Sequence, residues 1–306
     1  MNAPPVLSIT IPTYNRRRFL EQTMNALLPQ VTDQVEIVVL DNHSTDDTFE
    51  YIQSLPASVR YIRQPSNVGP DRNMISCVTE AKGAYFWLLC DDDLPCSNTV
   101  ANILAAIENF PSAGMFYLRV AASDKNVSDY NPDPVETSWT SLDADTFLND
   151  ISFLFTFASS IVAKRDCVEL SFLQGQSGTG LVPAALVLST VGTRNNCVVS
   201  DQNLLYGRGD NSGGYSALAV FSKNVIKLFR ACDKRWFSRR TLRKTYNDNL
   251  AIPVLLVVQG WPLTLKGLGT LLAYSYYYSN FYRVVAPALA KRLLKQYVFK
   301  RKATFN

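Results

Sequence analysis

The sequence predicts an α/β protein built on a mostly parallel sheet. In the first 115 residues, short apolar runs rich in β-branched residues alternate with segments of helical periodicity. Turn residues bound each run, which is the pattern of parallel strands covered by helices. The chain has 306 residues, 47% of them hydrophobic, which is enough for one large domain or two and excludes a disordered protein.

Four predicted strands alternate with four predicted helices in this part of the chain. The apolar runs predict strands at 7–12, 35–40, 59–63 and 85–90, and the helical periodicity predicts helices near 16–28, 46–54, 70–81 and 97–109. Polar residues follow every strand. Because the ligand crevice of an open α/β sheet lies at the carboxyl ends of its strands, the four polar clusters predict one shared site.

Beyond residue 115 the composition of the chain changes, and after residue 222 its net charge changes from acidic to basic. Acidic and turn-forming residues dominate 116–150, where we expect an excursion or a flexible connection, and mixed apolar segments resume over 151–222. Residues 1–222 contain 13 basic and 24 acidic residues, whereas residues 223–306 contain 17 basic and 2 acidic residues. This asymmetry predicts an anionic partner for the C-terminal region.

Cysteine and histidine usage argues against several classes of protein. The six cysteines include no CxxC pair, which is typical of reduced thiols rather than of a disulfide scaffold. His43 is the only histidine, which argues against a zinc site and against Ser-His-Asp and Cys-His hydrolases. The first residues lack the basic and long apolar segments of a signal peptide, which favours a cytoplasmic protein.

Aspartates at two strand ends are the first candidate functional residues. Asp91, Asp92 and Asp93 follow the fourth strand, where carboxylates repel one another unless a cation neutralises them. Such oxygen ligands suit Mg²⁺ or Mn²⁺, and the alternative is an acidic helix N-terminus. Asp41 follows the second strand, a position that commonly binds a ribose or base, and its alternative is a turn residue before a helix cap.

Four segments resemble the family 2 glycosyltransferases, which have the GT-A fold, in order and spacing. They are SITIPTYNR at 8–16, IVVLDNHSTDDT at 37–48, NVGPDRN at 67–73 and the aspartate triplet at 91–93. The segments at 159–160 and 211–215 are similar to those of enzymes that act on bacterial surface polysaccharides, such as abequosyltransferases. The resemblance implies a GT-A-like nucleotide-binding sandwich with a helical basic C-terminal region, a nucleotide-diphosphate sugar as donor, and a divalent metal ion, Mg²⁺ or Mn²⁺.

The resemblance also implies individual roles. Donor-binding roles fall on Pro12, Thr13, Tyr14, Asn15, Asp41, Asn67, Gly69, Arg72, Asn73, Asp91 and Asp92. The metal would be held by Asp91 with Asp93, or in the other register by Asp91 with Asp92. Inverting transfer also needs a general base. The family's acidic residues would fall near 178–188, which holds none; Asp201 and Asp210 are the nearest candidates downstream, and Asp166 and Glu169 precede the stretch.

The basic C-terminal region combines cations with aromatic residues. Residues 223–244 carry nine cations, and the uncharged stretch at 250–265, only 16 residues long, falls short of the roughly 20 needed to span a bilayer. This pattern favours a segment lying on an anionic membrane surface. A solvated basic helical face is one alternative, and nucleic acid is another, which the lack of a known RNA- or DNA-binding module disfavours.

The sequence therefore predicts a metal-dependent glycosyltransferase at the inner face of the cell membrane. Its acceptor would be a glycan or a lipid-linked precursor of a surface polysaccharide such as O-antigen (the polysaccharide part of lipopolysaccharide) or capsule. Residues 1–115 would bind donor and metal, 116–222 would shape the acceptor site, and 223–306 would bind the membrane. A nucleotidyltransferase stays open, although no Gly-rich phosphate-binding loop follows the first strand. A non-catalytic scaffold that binds glycan or nucleotide also stays open.

Overall fold

Parallel strands form the first part of the sheet. They are β1 (Leu7–Thr13), β2 (Val35–Asp41), β3 (Val59–Arg63) and β4 (Tyr85–Leu88), in the order β3-β2-β1-β4. Each neighbouring pair is parallel. The predicted strands are confirmed, with ends that differ from the prediction by at most two residues.

The computed structural model describes residues 4–123, 133–194, 196–208, 224–232 and 236–249, with isolated positions at 220, 283, 287 and 290. The chain divides into two compact units. One comprises residues 1–147 and 155–214, and the other comprises residues 148–154 and 215–306. The functional division of the chain at 115 and 222 stays a prediction.

Strands β1, β2 and β4 are buried almost throughout, so their few polar side chains need internal partners. Thr10 Oγ1 donates to the Trp87 carbonyl at 3.2 Å. Ser8 Oγ donates to Glu36 and accepts the backbone N–H groups of Lys82 and Gly83. These hydrogen bonds join β1 to β2 and to the turn before β4, at the end of the sheet opposite the predicted site.

Three helices connect these four strands and a fourth follows them, as the sequence predicts. They are α1 (Arg17–Leu27), α2 (Thr48–Gln53), α3 (Pro70–Glu80) and α4 (Thr99–Asn109). Helix α1 buries Leu20, Thr23, Met24 and Leu27, at the i, i+3, i+4, i+7 spacing of a helix with one face in the core. Pro70 begins α3 at the one helical position where its missing N–H costs nothing.

The second part of the sheet is mixed. Its strands are β5 (Leu94–Pro95), β6 (Met115–Ser123), β7 (Trp139–Asp143), β8 (Ile161–Lys164) and β9 (Asn196–Arg208). The sheet continues β4-β8-β6-β9-β5, and β7 also pairs with β9. Strand β8 is antiparallel to β4 and β6, whereas β6 and β9 are parallel. Helices α5 (Ala144–Ile151), α6 (Leu170–Gly175) and α7 (Val182–Arg194) lie between these strands in the chain.

The flexible connection expected at 116–150 is wrong for most of that range. Strand β6 occupies its beginning, and β7 and α5 occupy its end. The physical reason is the apolar run at 115–118, whose side chains are fully buried between β8 and β9. Residues 124–132 lie outside the described residues.

The part of the C-terminal unit that the structure describes includes the helices α8 (Val225–Cys232) and α9 (Arg239–Asn249). The ring of Phe229 meets the ring of Tyr246 edge-on, with centroids 5.8 Å apart. Helix α9 exposes its cations on one side, namely Arg239, Arg240, Arg243 and Lys244. Among the described residues, no helix is long and apolar enough to cross a membrane. The uncharged stretch at 250–265 lies outside the described residues.

We expect Gly83→Ala to lower the free energy of unfolding by about 1–3 kcal/mol, because overpacking a filled site forces neighbours apart. A Cβ at this position would lie 2.7 Å from both the Ser8 nitrogen and the Tyr85 carbonyl oxygen, which are backbone atoms. Urea unfolding of the full chain measures the change. Gly175→Ala is the matched control, because nothing lies within 4 Å of a Cβ there. Equal stability of the two variants would contradict the prediction.

Candidate active site

The aspartate triplet lies in a buried turn between β4 and β5. Asp91 and Asp93 are each only 4% exposed. Thr23 of α1 holds the turn, because its hydroxyl lies 2.9 Å from the Asp91 carbonyl oxygen and 3.1 Å from that of Asp93. The triplet therefore lies in a buried turn at the edge of the core, held by hydrogen bonds, and is not an exposed acidic helix N-terminus.

Arg16 compensates the charge of this triplet. Its Nη1 atom lies 2.6 Å from Asp92 Oδ2 and 3.2 Å from Asp91 Oδ1. Thr13 Oγ1, at the end of β1, donates to the other oxygen of Asp91 at 2.7 Å. Arg16 is a site residue that the sequence reasoning missed. The sequence contains a signal for it, because Arg16 follows shortly after β1, the strand that pairs with β4.

Burial dominates the electrostatics of Asp91. Loss of hydration, reinforced by the charge of Asp92, raises the pKa of Asp91 from 3.8 to about 7, although Arg16 and Thr13 act in the opposite direction. Burial also raises the pKa of the Cys90 thiol, with further contributions from the neighbouring aspartates. Burial therefore keeps the Cys90 thiol protonated at neutral pH.

A candidate metal-ligand group lies in the same turn. Cys90 Sγ and carboxylate oxygens of Asp92 and Asp93 lie within 4.8 Å of one another. Asp93 Oδ2 accepts the Ser159 hydroxyl at 2.5 Å, and the same hydroxyl oxygen accepts the Cys90 backbone N–H at 2.9 Å. Two carboxylates are suitable ligands for Mg²⁺ or Mn²⁺, whereas a protonated thiol is not. The residues present therefore fit such an ion through Asp92 and Asp93, and the pair of Asp91 with Asp93 stays a prediction.

Asp41 is fully buried at the end of β2. Its Oδ1 accepts the Ser44 backbone N–H at 2.8 Å, and its Oδ2 accepts the Tyr61 hydroxyl at 3.0 Å and lies 3.6 Å from Arg63 Nε. The Ser44 contact is the turn bond of the alternative interpretation, so Asp41 shapes this turn whatever else it binds. Tyr61 and Arg63 are partners that the sequence reasoning did not identify.

The segment at 67–73 docks on the end of β2. Asn42 exchanges hydrogen bonds with it, donating to Asn67 Oδ1 at 2.9 Å and accepting the Val68 N–H at 2.8 Å. Asn73 Nδ2 donates to the Leu40 carbonyl at 2.9 Å. Gly69 has φ +85° and ψ 160°, a conformation essentially restricted to glycine, and it turns the chain into α3.

The loop after β1 is tied to the loop after β2. Asn15, with φ +53°, donates its backbone N–H to Ser44 Oγ at 2.9 Å and accepts the Thr45 N–H at 2.7 Å. Tyr14 stays 40% exposed beside them, with its ring available for stacking. Strands β2 and β4 flank β1, so their carboxyl ends lie about 10 Å apart. The predicted donor residues of β1 and β2 thus converge near the triplet.

The remaining predicted residues are Pro12, Arg72, Asp201 and Asp210. Pro12 is within β1, and Arg72 Nε lies 3.4 Å from Ser177 Oγ. Asp201 lies on β9, where it accepts the hydroxyls of Ser138 and Thr140, and these bonds lower its pKa. No hydrogen bond or ion pair between described residues connects Asp201 to the triplet. Asp210 and the segment 211–215 lie outside the described residues.

An α/β sheet with polar loops and an acidic turn at the ends of β1, β2 and β4 is typical of the GT-A glycosyltransferases. The family model for glycosyl transferase family 2 matches residues 8–165, just over half of the chain. The chain belongs to this family and is a glycosyltransferase.

Named relatives include two bacterial glycosyltransferases. The chain is 27% identical over 229 residues, 67% of each chain, to the abequosyltransferase RfbV of Salmonella typhimurium. It is 31% identical over 104 residues to a Campylobacter jejuni β-1,3-glucosyltransferase whose name gives a GalNAc-containing, undecaprenol-linked acceptor, and this match covers 33% of this chain and 34% of the relative.

Solved structures confirm the predicted GT-A-like fold. Staphylococcus aureus TarS with UDP-GlcNAc superposes with a TM-score of 0.65 at 14% identity, covering 89% of this chain and 80% of TarS. A Pyrobaculum calidifontis mannosyltransferase with GDP-Man and Mn²⁺ gives a TM-score of 0.55 at 14% identity, covering 94% of this chain and 85% of that one. At these identities the likeness concerns the fold alone.

We expect the free energy of unfolding to fall as the pH rises from about 4 to about 7, relative to the same quantity for Asp91→Asn. The native pKa of Asp91 is raised from 3.8 to about 7, so the native state binds more protons than the unfolded chain between those values. The stabilisation is therefore complete below the lower value and lost as the pH passes the higher one. Urea unfolding in EDTA measures it, and parallel pH profiles for the two proteins would contradict the prediction.

Proposed function

We propose that this glycosyltransferase moves a sugar from a nucleotide-diphosphate sugar to a glycan or lipid-linked acceptor of bacterial surface-polysaccharide synthesis. The observation that carries the proposal is the convergence of Asp41, the segment at 67–73 and the aspartate triplet on one edge of the sheet. The names of the relatives support the acceptor class, and the ligands of the solved neighbours support the donor class.

In this proposal the donor lies across the ends of β2, β1 and β4. Asp41 binds the base or ribose, and the exposed ring of Tyr14 stacks on the nucleoside. The backbone of the segment with Asn67 and Gly69 approaches the ribose and diphosphate. Gly69 permits this approach because it has no side chain. Arg72, exposed at the start of α3, pairs with a phosphate oxygen.

Asp92 and Asp93 would hold the divalent ion. When bound there, such an ion neutralises negative charge on a departing diphosphate. The protein's own contribution is to keep the two carboxylates oriented. Ser159 fixes Asp93 by a hydrogen bond, and Arg16 fixes Asp92 through its ion pair. Arg16 also limits the repulsion between Asp91 and Asp92 while no ion is bound.

The two alternative functions, a nucleotidyltransferase and a non-catalytic scaffold, have weaker support. Membership of family 2 argues against a nucleotidyltransferase. A non-catalytic scaffold was suggested by the lack of acidic residues at 178–188, and the intact, charge-compensated triplet argues against a degenerate centre. The two enzyme classes differ in product, since sugar transfer releases a nucleoside diphosphate whereas nucleotidyl transfer releases pyrophosphate.

We expect the full chain to release nucleoside diphosphate from one donor of a panel of UDP-, GDP-, CDP- and dTDP-sugars when a polyprenol-linked glycan is present with Mg²⁺ or Mn²⁺. EDTA should abolish the release. Asp92→Asn and Asp93→Asn should each lower kcat/KM by about 10²-fold or more, because each removes a carboxylate ligand of the ion that would neutralise the leaving diphosphate.

Asp33→Asn is the matched control, since this aspartate is exposed in the turn before β2. It should retain full activity. Pyrophosphate as the product would point to the nucleotidyltransferase, and turnover of no donor by the wild type would favour the scaffold. Activity of the Asp92 and Asp93 variants equal to that of Asp33→Asn would remove the metal role.

We further propose that the protein works at the cytoplasmic face of the membrane, where its basic C-terminal region binds anionic lipid. The exposed cations of α9 are the support for this, because each Lys or Arg near such a surface contributes about 1 kcal/mol. A lipid-linked acceptor would then be held beside the enzyme. Nucleic acid is not expected as a partner.

Arg243→Gln with Lys244→Gln should weaken binding to vesicles containing phosphatidylserine by about 30-fold, since two charges contribute about 2 kcal/mol. Cosedimentation at low salt measures the binding. The control is Arg18→Gln with Lys82→Gln, which removes two exposed cations from the first compact unit. Equal loss in both variants, or no binding by the wild type, would contradict membrane attachment through α9.

A further inference from the structure

Asp71 is a buried carboxylate with an unusual lack of partners. It is 6% exposed in the first turn of α3. One carboxylate oxygen, Oδ2, accepts the backbone N–H of Gly180 at 2.8 Å. Among the described residues, no ion pair and no second hydrogen bond reaches this carboxylate. A buried carboxylate normally has more hydrogen-bond or charged partners than a single amide. The second oxygen, Oδ1, can therefore accept a hydrogen bond from another polar group.

The position of Asp71 joins two parts of the site. It belongs to the turn that begins at Gly69 and that Asn73 fixes to the end of β2. Gly180 belongs to the turn before α7, in which Gly178 and Gly180 have φ values of +81° and +71°. Arg72 contacts Ser177 of the same turn. The carboxylate therefore lies between the proposed donor segment and the region predicted to shape the acceptor site.

The other carboxylates at this edge of the sheet are already engaged. Asp41 accepts Tyr61 and the Ser44 amide, as described above. Arg16 pairs with Asp91 and Asp92, and Ser159 donates to Asp93.

On β9, Asp201 has both oxygens bound to hydroxyl groups, and these bonds lower its pKa, which makes it a weak proton acceptor. A general base needs a lone pair that can reach the hydroxyl it deprotonates. Asp71 Oδ1 has no hydrogen-bond or ion-pair partner among the described residues, whereas both oxygens of Asp41 and of Asp201 have one.

We propose that Asp71 is the general base that activates the acceptor hydroxyl, an inference that rests on the glycosyl transfer proposed above. Asp71 Oδ1 takes the hydroxyl proton while the hydroxyl oxygen forms its bond to the anomeric carbon of the donor sugar. The bond from that carbon to the diphosphate oxygen breaks, and its electron pair leaves with the nucleoside diphosphate. The Gly180 amide keeps Oδ2 in place throughout the step.

The central experiment compares Asp71→Asn, Asp71→Glu and Asp71→Ala with wild type. Asparagine keeps the shape and can still accept the Gly180 N–H, but it cannot take a proton. We expect kcat for transfer to fall by about 10²–10⁴-fold in Asp71→Asn, with the donor Kd from calorimetry unchanged. Glutamate restores a displaced base, so Asp71→Glu should be more active than Asp71→Asn.

A pH profile separates a base from a merely structural residue. Wild-type kcat/KM should rise with pH on the acid side, where the carboxylate loses its proton, and this limb should be absent in Asp71→Asn. Loss of the Gly180 hydrogen bond should lower the Tm of Asp71→Ala and leave that of Asp71→Asn near wild type. Asp33→Asn, exposed in the turn before β2, is the control for full activity.

Three results would overturn the assignment of the base. The first is Asp71→Asn activity within about threefold of wild type. The second is a large loss in Asp201→Asn while Asp71→Asn stays active, which would assign the base to Asp201. The third is equal loss of donor affinity and Tm in Asp71→Asn and Asp71→Ala, which would make the residue structural. Absence of transfer by the wild type would instead refute the proposed function itself, and this inference with it.

Discussion

The ion pairs of Arg16 with Asp91 and Asp92 are the constraint on which the candidate site depends. Three consecutive carboxylates in a turn that is almost completely buried cannot all stay charged without a cation, because burial and mutual repulsion both oppose ionisation. Arg16 supplies that charge from the segment directly after β1. The geometry is available only because β1 and β4 are parallel neighbours, so that both strands deliver their ends to the same edge.

The same neighbour relation sets the architecture around the site. Strand β1 lies between β2 and β4, and helix α1 returns over the sheet with Thr23 bound to the backbone of the triplet. Burial on both faces explains why the central strands are nearly continuous apolar runs. The polar chemistry is consequently confined to the strand ends, where the loops after β1 and β2 fasten to each other through Asn15 and Ser44.

How much of this is predictable from the sequence depends on the range of each interaction. Strands β1–β4 follow from local apolar runs, and their shared polar edge follows from parallel topology. The apolar run at 115–118 carried the same local signal, but the acidic residues after it led to the wrong expectation of a loop. The contacts of Asp93 with Ser159 and of Asp71 with Gly180 span 66 and 109 residues of chain. No local periodicity encodes such contacts, since they depend on how β8 and α7 return to the first part of the sheet.

The carboxylates of this protein differ in basicity because their surroundings differ, not because of their order in the chain. Burial and a neighbouring charge raise the pKa of Asp91, whereas two hydroxyl donors lower that of Asp201. Asp92 and Asp93 offer oxygen to a cation, and Asp71 offers oxygen to a proton. A transfer reaction needs both, since one charge forms on the leaving diphosphate and one proton leaves the acceptor. The two proposed functions lie on separate elements, the turn after β4 and the first turn of α3.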